Sequence, residues 1–266
     1  MDSEKVVSIK AGVSRITVAL HDRSGRITDL LVRKTARDLL SGLESEPILS
    51  FPDRWGSRFR VVLISVVPQI TEWMKKGFSG NTRIALLCPS VFDWGMPIDY
   101  LPEKTLGIDR IAACQGALTR YPDLSGRSFV VADFGTHTVL TLCRKGTIAG
   151  GSIASGIPLQ LQSIGGGLVL GSYSLRLPER IVGQTTAEGI STGTILGSVR
   201  GVEGIFDDMN QESGGGLELI LTGGLSRLLR RFFRVSVRCD RQLIHYGAWG
   251  GYSLGRFGAG RGTSGR

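Results

Sequence analysis

Phe129-Val130-Val131-Ala132-Asp133-Phe134-Gly135-Thr136-His137-Thr138-Val139 repeats the layout of Val6-Val7-Ser8-Ile9-Lys10-Ala11-Gly12-Val13-Ser14-Arg15-Ile16, and this pair decides the fold. Each segment is an apolar, β-branched run, a polar residue, an x-Gly turn and a second apolar run, which is the pattern of strand, turn and strand. The likeness continues downstream. Residues 16–20 and 27–32 complete a first meander, and residues 139–142 and 147–148 complete a second. Residues 61–67 read as a central strand, and Pro68 opens a helix to residue 76, proline being well tolerated in a first helical turn. Residues 84–87 form another strand, and residues 107–121 carry Ile108, Ile111, Ala112 and Leu118 at helical spacing. The second half continues with helices at 158–164 and 187–209, a strand at 217–221, a helix at 226–231, a strand at 235–237 and a helix at 241–249. Val62-Leu63-Ile64-Ser65-Val66-Val67 is set against Leu219-Ile220-Leu221-Thr222-Gly223-Gly224. One order of elements met twice implies an α/β chain made by duplication, its opposed glycine turns lining a cleft. The expected division is residues 1–105, residues 106–250, and a Gly/Arg-rich tail, 251–266, that is solvated and disordered.

Composition narrows the function classes. The chain has 266 residues, 41% of them apolar and 21% charged, enough for an ordinary core. The formal charge of +9 suggests nucleic acid, but residues 226–266 hold nine Arg against one acid, Asp240, a net of +8 that leaves +1 for the rest. Few aromatics interleave with those arginines, so the tail reads as a solvated end rather than a nucleic-acid arm. Cys88, Cys114, Cys143 and Cys239 make no C-x-x-C motif and read as buried thiols of a cytoplasmic protein. His21, His137 and His245 form no ligand-spaced pair. Met1-Asp2-Ser3-Glu4-Lys5 has no signal-peptide run, and no stretch approaches the ~18 apolar residues of a membrane span.

Several residues have the chemistry of a phosphate-handling site. Asp133-Phe134-Gly135-Thr136 puts a carboxylate, a glycine turn and a hydroxyl between two strands, which suits phosphate oxygens and a cation, and equally suits an ordinary hairpin. Gly107-Ile108-Asp109-Arg110 opens a helix. There Asp109 is either a charge that favours the N-terminal dipole or a base for a substrate hydroxyl, with Arg110 beside it for an anion. Tyr100 can stack on a substrate or close the core. Gly150-Gly151-Ser152-Ile153-Ala154-Ser155-Gly156 and Thr222-Gly223-Gly224 allow close approach of backbone to a ligand, or are simply tight turns.

In this order the motifs resemble those of type III pantothenate kinases, a branch of the acetate and sugar kinase, Hsp70 and actin superfamily. The resemblance rests on Val62-Leu63-Ile64-Ser65-Val66-Val67-Pro68, Gly107-Ile108-Asp109-Arg110, Asp133-Phe134-Gly135-Thr136, Gly150-Gly151-Ser152-Ile153, residues 186–193 and Leu221-Thr222-Gly223-Gly224. It covers the chain from about Val6 to Trp249. It implies a duplicated actin-like ATPase fold, related to ribonuclease H, with two halves around a nucleotide cleft. It also implies transfer of phosphate from ATP to pantothenate, giving 4'-phosphopantothenate in the first step of coenzyme A synthesis. A homodimer, a divalent cation such as Mg and a monovalent cation such as K or NH4 belong to the same expectation. Carried over, Asp109 is the catalytic base. Tyr100, Gly107, Ile108, Asp109, Arg110 and Thr186 meet pantothenate. Lys10, Ala11, Gly12, Val13, Ser14, Arg15, Ile16 and Thr17, with Thr136, meet ATP, and Asp133 holds the monovalent cation.

The chain departs from that pattern at its first turn. The family reads D-x-G-N-T with a lysine three residues on; here Lys10-Ala11-Gly12-Val13-Ser14 is followed by Thr17. A lysine cannot ligate a metal, but it offers three donors to phosphate oxygens. Ser155 stands where the family's G-G-x-I-x-P-G has proline, and Leu101-Pro102 stands for Asn-Pro after Tyr100. These departures give an alternative expectation: a relative with impaired catalysis and a binding or transcription-accessory role.

Overall fold

The computed structural model describes residues 5–34, 51–55, 58–167 and 175–257. The chain divides into two units. One holds the residues up to Pro122 together with those from Leu243 onward, and the other runs from Asp123 to Gln242.

The first unit is built on a five-stranded sheet of β1 (Lys5–Ala11), β2 (Arg15–His21), β3 (Ile27–Lys34), β4 (Phe59–Ser65) and β5 (Ile84–Leu87). The order is β3-β2-β1-β4-β5. The first three strands are an antiparallel meander, while β4 and β5 run parallel to β1. Alternation assigns the two faces. Val7, Ile9, Ala11, Ile16, Val18, Val61 and Leu63 point into a core closed by α1 (Phe51–Trp55) and by Ile70, Met74 and Phe78 of α2 (Pro68–Phe78). The opposite face, which carries Ser8, Thr17 and His21, meets α7 (Leu243–Ser253).

That helix is held by α3 (Ile108–Arg120), backbone against backbone. A Cβ added to Gly116 would lie 1.8 Å from the Leu243 carbonyl oxygen, and one added to Gly247 would lie 1.8 Å from that of Ala112. Ala112, Ala113, Cys114, Ala117 and Ala248 are buried around the crossing. Beyond α7 the chain stays docked. Phe257 sets its ring edge-on to Trp94 at 4.9 Å, and Arg256 donates to the Trp94 carbonyl and to Gln115 Oε1.

The second unit repeats the design. Its sheet comprises β6 (Phe129–Phe134), β7 (His137–Arg144), β8 (Thr147–Ser155), β9 (Glu218–Thr222) and β10 (Val237–Cys239). The order β10-β9-β6-β7-β8 is that of the first sheet, strand for strand, read from the other edge. Val130, Ala132, Phe134, Leu140, Leu142, Leu219 and Leu221 share a core with Ile157 and Leu161 of α4 (Ile157–Gly167) and with Ile195, Val199, Val202 and Phe206 of α5 (Thr186–Glu212). Leu229 of α6 (Ser226–Leu229) closes it. Arg238 bridges Asp123 and Glu218, and Arg127 reaches Glu218, so part of the basic C-terminal charge is spent inside this unit.

Four expectations change. The boundary drawn at 105/106 and 250/251 cuts through a packed group: α3 and α7 belong to the first unit because they pack on one another and α7 lies on its sheet. The tail is not free from 251, since Arg256 and Phe257 are anchored; residues 258–266 lie outside the described residues. The repeat alignment slips by one residue. Lys10 pairs with Ile64 and Asp133 with Thr222, so Ile64, not Ser65, is the counterpart of Thr222. The first hairpin is also one residue longer, with Lys10 opposite Thr17 where Asp133 is opposite Val139. Cys114 and Cys143 are buried as expected, whereas Cys88 is exposed.

Any side chain at Gly247 must push α7 off α3. Gly247→Ala is expected to cost about 3 kcal/mol, the upper range for overpacking a tight core, read as a lowered urea midpoint with an unchanged slope.

Candidate active site

In the first unit the expected nucleotide residues lie on the β1–β2 hairpin. Lys10 stands one residue before the end of β1, directly opposite Thr17, and the turn between them is held by Gly12 N–H donating to the Arg15 carbonyl at 3.0 Å. Ala11 and Ile16 are buried in the core, while Val13 is exposed at the tip. Gly107 is the N-cap of α3, and the Asp109 carboxylate in the first turn accepts the Arg110 N–H at 2.9 Å. Arg110 is buried, with its guanidinium over the Tyr100 ring at 5.2 Å from the centroid. The structure thus gathers Tyr100, Gly107, Ile108, Asp109 and Arg110 at one helix start, where a carboxylate and a guanidinium can address the two ends of a hydroxy acid.

In the second unit Asp133 stands one residue before the end of β6, beside Thr222. Gly223, just past the end of β9, has φ +90°, and a Cβ there would lie 2.1 Å from Asp133 Oδ1 and 2.7 Å from the Phe134 carbonyl. Only glycine fits both the backbone and the space, so the Thr222-Gly223-Gly224 turn packs directly against the Asp133 carboxylate. The Thr136 turn is fixed by Gly135 N–H donating to the His137 carbonyl and by Gly156 N–H donating to the Thr136 carbonyl, both at 3.0 Å. Ser155, in the place of proline, keeps its strand, and its carbonyl accepts from Gln160 Nε2 at 2.8 Å. Thr186 is exposed at the start of α5, where the Thr185 side chain caps Glu188 N–H at 3.2 Å.

A buried polar chain was not foreseen. Ser8 Oγ lies 2.7 Å from His21 Nε2 and 2.7 Å from His245 Nδ1; His21 Nδ1 lies 3.1 Å from the Gly25 carbonyl, and His245 Nε2 lies 2.8 Å from Thr17 Oγ1. His21 and His245 are 224 positions apart, and the one sequence sign was a serine inside the apolar run Val6-Val7-Ser8-Ile9. Burial lowers the His21 pKa to about 4, against the Gly25 carbonyl and the Asp22 charge, which raise it. Burial also lowers His245, to about 3, helped by the neighbouring His21 and by the Lys10 charge.

Both histidines are therefore neutral in the folded chain at pH values where the unfolded chain binds protons. Stability rises with pH wherever the unfolded state holds more protons. Stability is expected to be constant above pH ~6.5 and to fall as the pH drops toward about 4, by about 3 kcal/mol from His21 alone. Urea titrations across that range in His21→Gln, which cannot titrate, should show a shallower fall.

The profile of the type III pantothenate kinase family matches residues 6–208, three quarters of the chain. A type III pantothenate kinase of Zymomonas mobilis is 33% identical over 176 residues, 63% of this chain and 62% of that protein. The chain therefore spans a little under two thirds of that relative's length. The Shouchella clausii enzyme of the same name is 28% identical over 233 residues, 84% of this chain and 89% of that one. Among solved structures, a Campylobacter jejuni protein named for the Baf family of transcriptional activators superposes with a TM-score of 0.60 at 18% identity, covering 94% of this chain and 98% of that chain. With the doubled β3-β2-β1-β4-β5 sheet, these likenesses give the actin-like, ribonuclease H-related α/β fold. The chain belongs to the type III pantothenate kinase family.

Proposed function

We propose that the chain transfers the γ-phosphate of ATP to the primary hydroxyl of pantothenate, giving 4'-phosphopantothenate, in the cytoplasm. The observation that carries this reading is the start of α3, where the Asp109 carboxylate stands beside Arg110, whose guanidinium lies over the Tyr100 ring. The Asp109 carboxylate accepts the hydroxyl proton as the oxygen attacks, and Arg110 meets the substrate carboxylate. The β1–β2 hairpin supplies backbone N–H groups and hydroxyls for the phosphates.

The expected cations fit unequally. Asp133, packed against the glycine turn beside it, is an oxygen donor suited to a monovalent cation such as K or NH4. A divalent cation such as Mg, arriving with ATP, neutralises phosphate charge, but Lys10 cannot ligate it. Among the described residues no three acids, histidines or cysteines converge as a protein-only metal cage. The Lys10 substitution favours the second reading, a relative with impaired catalysis and a binding role. The discriminating assay is ADP release from purified protein with ATP and pantothenate. Asp109→Asn, which keeps the shape and loses proton acceptance, is expected to cut turnover by roughly 10²–10⁴-fold with its melting temperature unchanged. An Asn variant as fast as the wild type sinks the assignment of the base.

The chain is further proposed to act as a homodimer through α5. Gly189, Gly193, Gly197 and Gly201 recur every fourth residue, are exposed, and have open space where a Cβ would stand. The opposite face of the helix, with Ile195, Val199, Val202 and Phe206, is buried in its own core. The glycines are thus not needed for packing within the subunit and would let a second backbone come close. Sedimentation at micromolar concentration is expected to show a dimer that Gly197→Arg splits; a monomeric wild type ends this part of the proposal.

A further inference from the structure

We propose that the chain of groups from the Gly25 carbonyl through His21, Ser8 and His245 to Thr17 is a positioning device that holds the Lys10 ammonium as a preset charge for phosphate oxygens at the β1–β2 hairpin. This rests on the reading that the hairpin faces the nucleotide phosphates.

The polarity of the chain follows from one end. A carbonyl oxygen can only accept, so His21 Nδ1 carries the proton and donates to Gly25 at 3.1 Å. His21 Nε2 then accepts, and the Ser8 hydroxyl donates to it at 2.7 Å. With its hydrogen used, Ser8 Oγ accepts from His245 Nδ1–H at 2.7 Å. His245 Nε2 is left as an acceptor, and the Thr17 hydroxyl donates to it at 2.8 Å. Four side chains are thereby set to one tautomer or rotor each, and reversing any bond would leave two acceptors or two donors facing. The chain is no proton relay, since its last member is a carbonyl that takes no proton.

The consequence falls at Thr17. Its hydrogen is committed to His245, so its oxygen presents only lone pairs to other neighbours. Thr17 stands directly opposite Lys10 in the strand pair, where opposed side chains leave the same face about 5 Å apart. Ser8 shares that face with Lys10, two residues before it on β1. An ammonium has three donors and no acceptor, so an acceptor-only hydroxyl is its complement. Lysine is a flexible point charge, and a fixed partner at its tip removes the freedom that a phosphate would otherwise have to remove on binding.

The test uses the full chain, inorganic pyrophosphate in metal-free buffer and histidine nitrogen NMR at neutral pH. Both His21 and His245 are expected as Nδ1–H tautomers, and Ser8→Ala should release His245 to a tautomer mixture while backbone dispersion stays native. Lys10→Met is expected to weaken pyrophosphate roughly tenfold, and Thr17→Val about fivefold, with Thr17→Ser close to wild type. Because Thr17 acts through Lys10, Thr17→Val added to Lys10→Met should cost nothing more. A His245 proton on Nε2, a Thr17→Val effect of the same size in both backgrounds, or no metal-free binding by the wild type overturns the proposal. Magnesium-dependent turnover of pantothenate by a wild type without metal-free binding overturns this proposal and leaves the kinase reading standing. Metal-free binding with the expected cycle, in a protein without turnover, upholds this proposal and overturns the kinase reading alone.

Discussion

The contact of α3 with α7 at Gly116 and Gly247 is the constraint on which the first unit depends. No side chain separates the two backbones there, and the nearest approach is fixed by carbonyl oxygens that cannot give way. The crossing brings a helix from the C-terminal end of the chain onto a sheet begun at Lys5. It also sets the height of α7 above β1 and β2, and with it the position of His245 between Ser8 and Thr17. The same α3 begins with Gly107, Asp109 and Arg110, so one helix carries the proposed base at its start and anchors the polar chain's helix along its length.

The two units answer one architectural problem with opposite charges. At equivalent strand ends, next to an x-Gly turn, one sheet carries Lys10 and the other Asp133. Asp133 packs against a glycine turn whose shape excludes any other residue. Lys10 lies beside a chain of hydrogen bonds that begins at a backbone carbonyl. A carboxylate can be placed by a rigid backbone alone because its stem is short. A lysine has four rotatable bonds, so backbone geometry alone does not place its charge, and on the proposed reading the buried polar chain does.

The histidines also explain a cost that the fold carries. Holding two imidazoles neutral away from water ties the stability of the first unit to pH, and no apolar substitute would bring that dependence. Ser8 and Thr17 each satisfy a ring nitrogen, so the polar groups of the chain are paired throughout.

Strands, helices and the duplication were legible in the sequence, because apolar periodicity of two or near four is set by which face of an element is buried. Pro68 at a helix start and Lys145-Gly146 in a turn, with φ of 48° and 90°, are local conformations decided by single residues. Asp109, Asp133 and Thr136 stood out in the sequence for the same reason, each tied to a nearby glycine turn or helix start. The register of the repeat was not: a shift of one residue keeps every apolar run apolar, and only the ladder of β6 with β9 distinguishes Ile64 from Ser65 as the partner of Thr222. Nor was the partition of the chain, since composition does not change where α7 returns to the first sheet. The meeting of His21 with His245 on one serine was decided by tertiary structure alone, because hydrogen bonds between residues so far apart leave no period or spacing in the sequence between them.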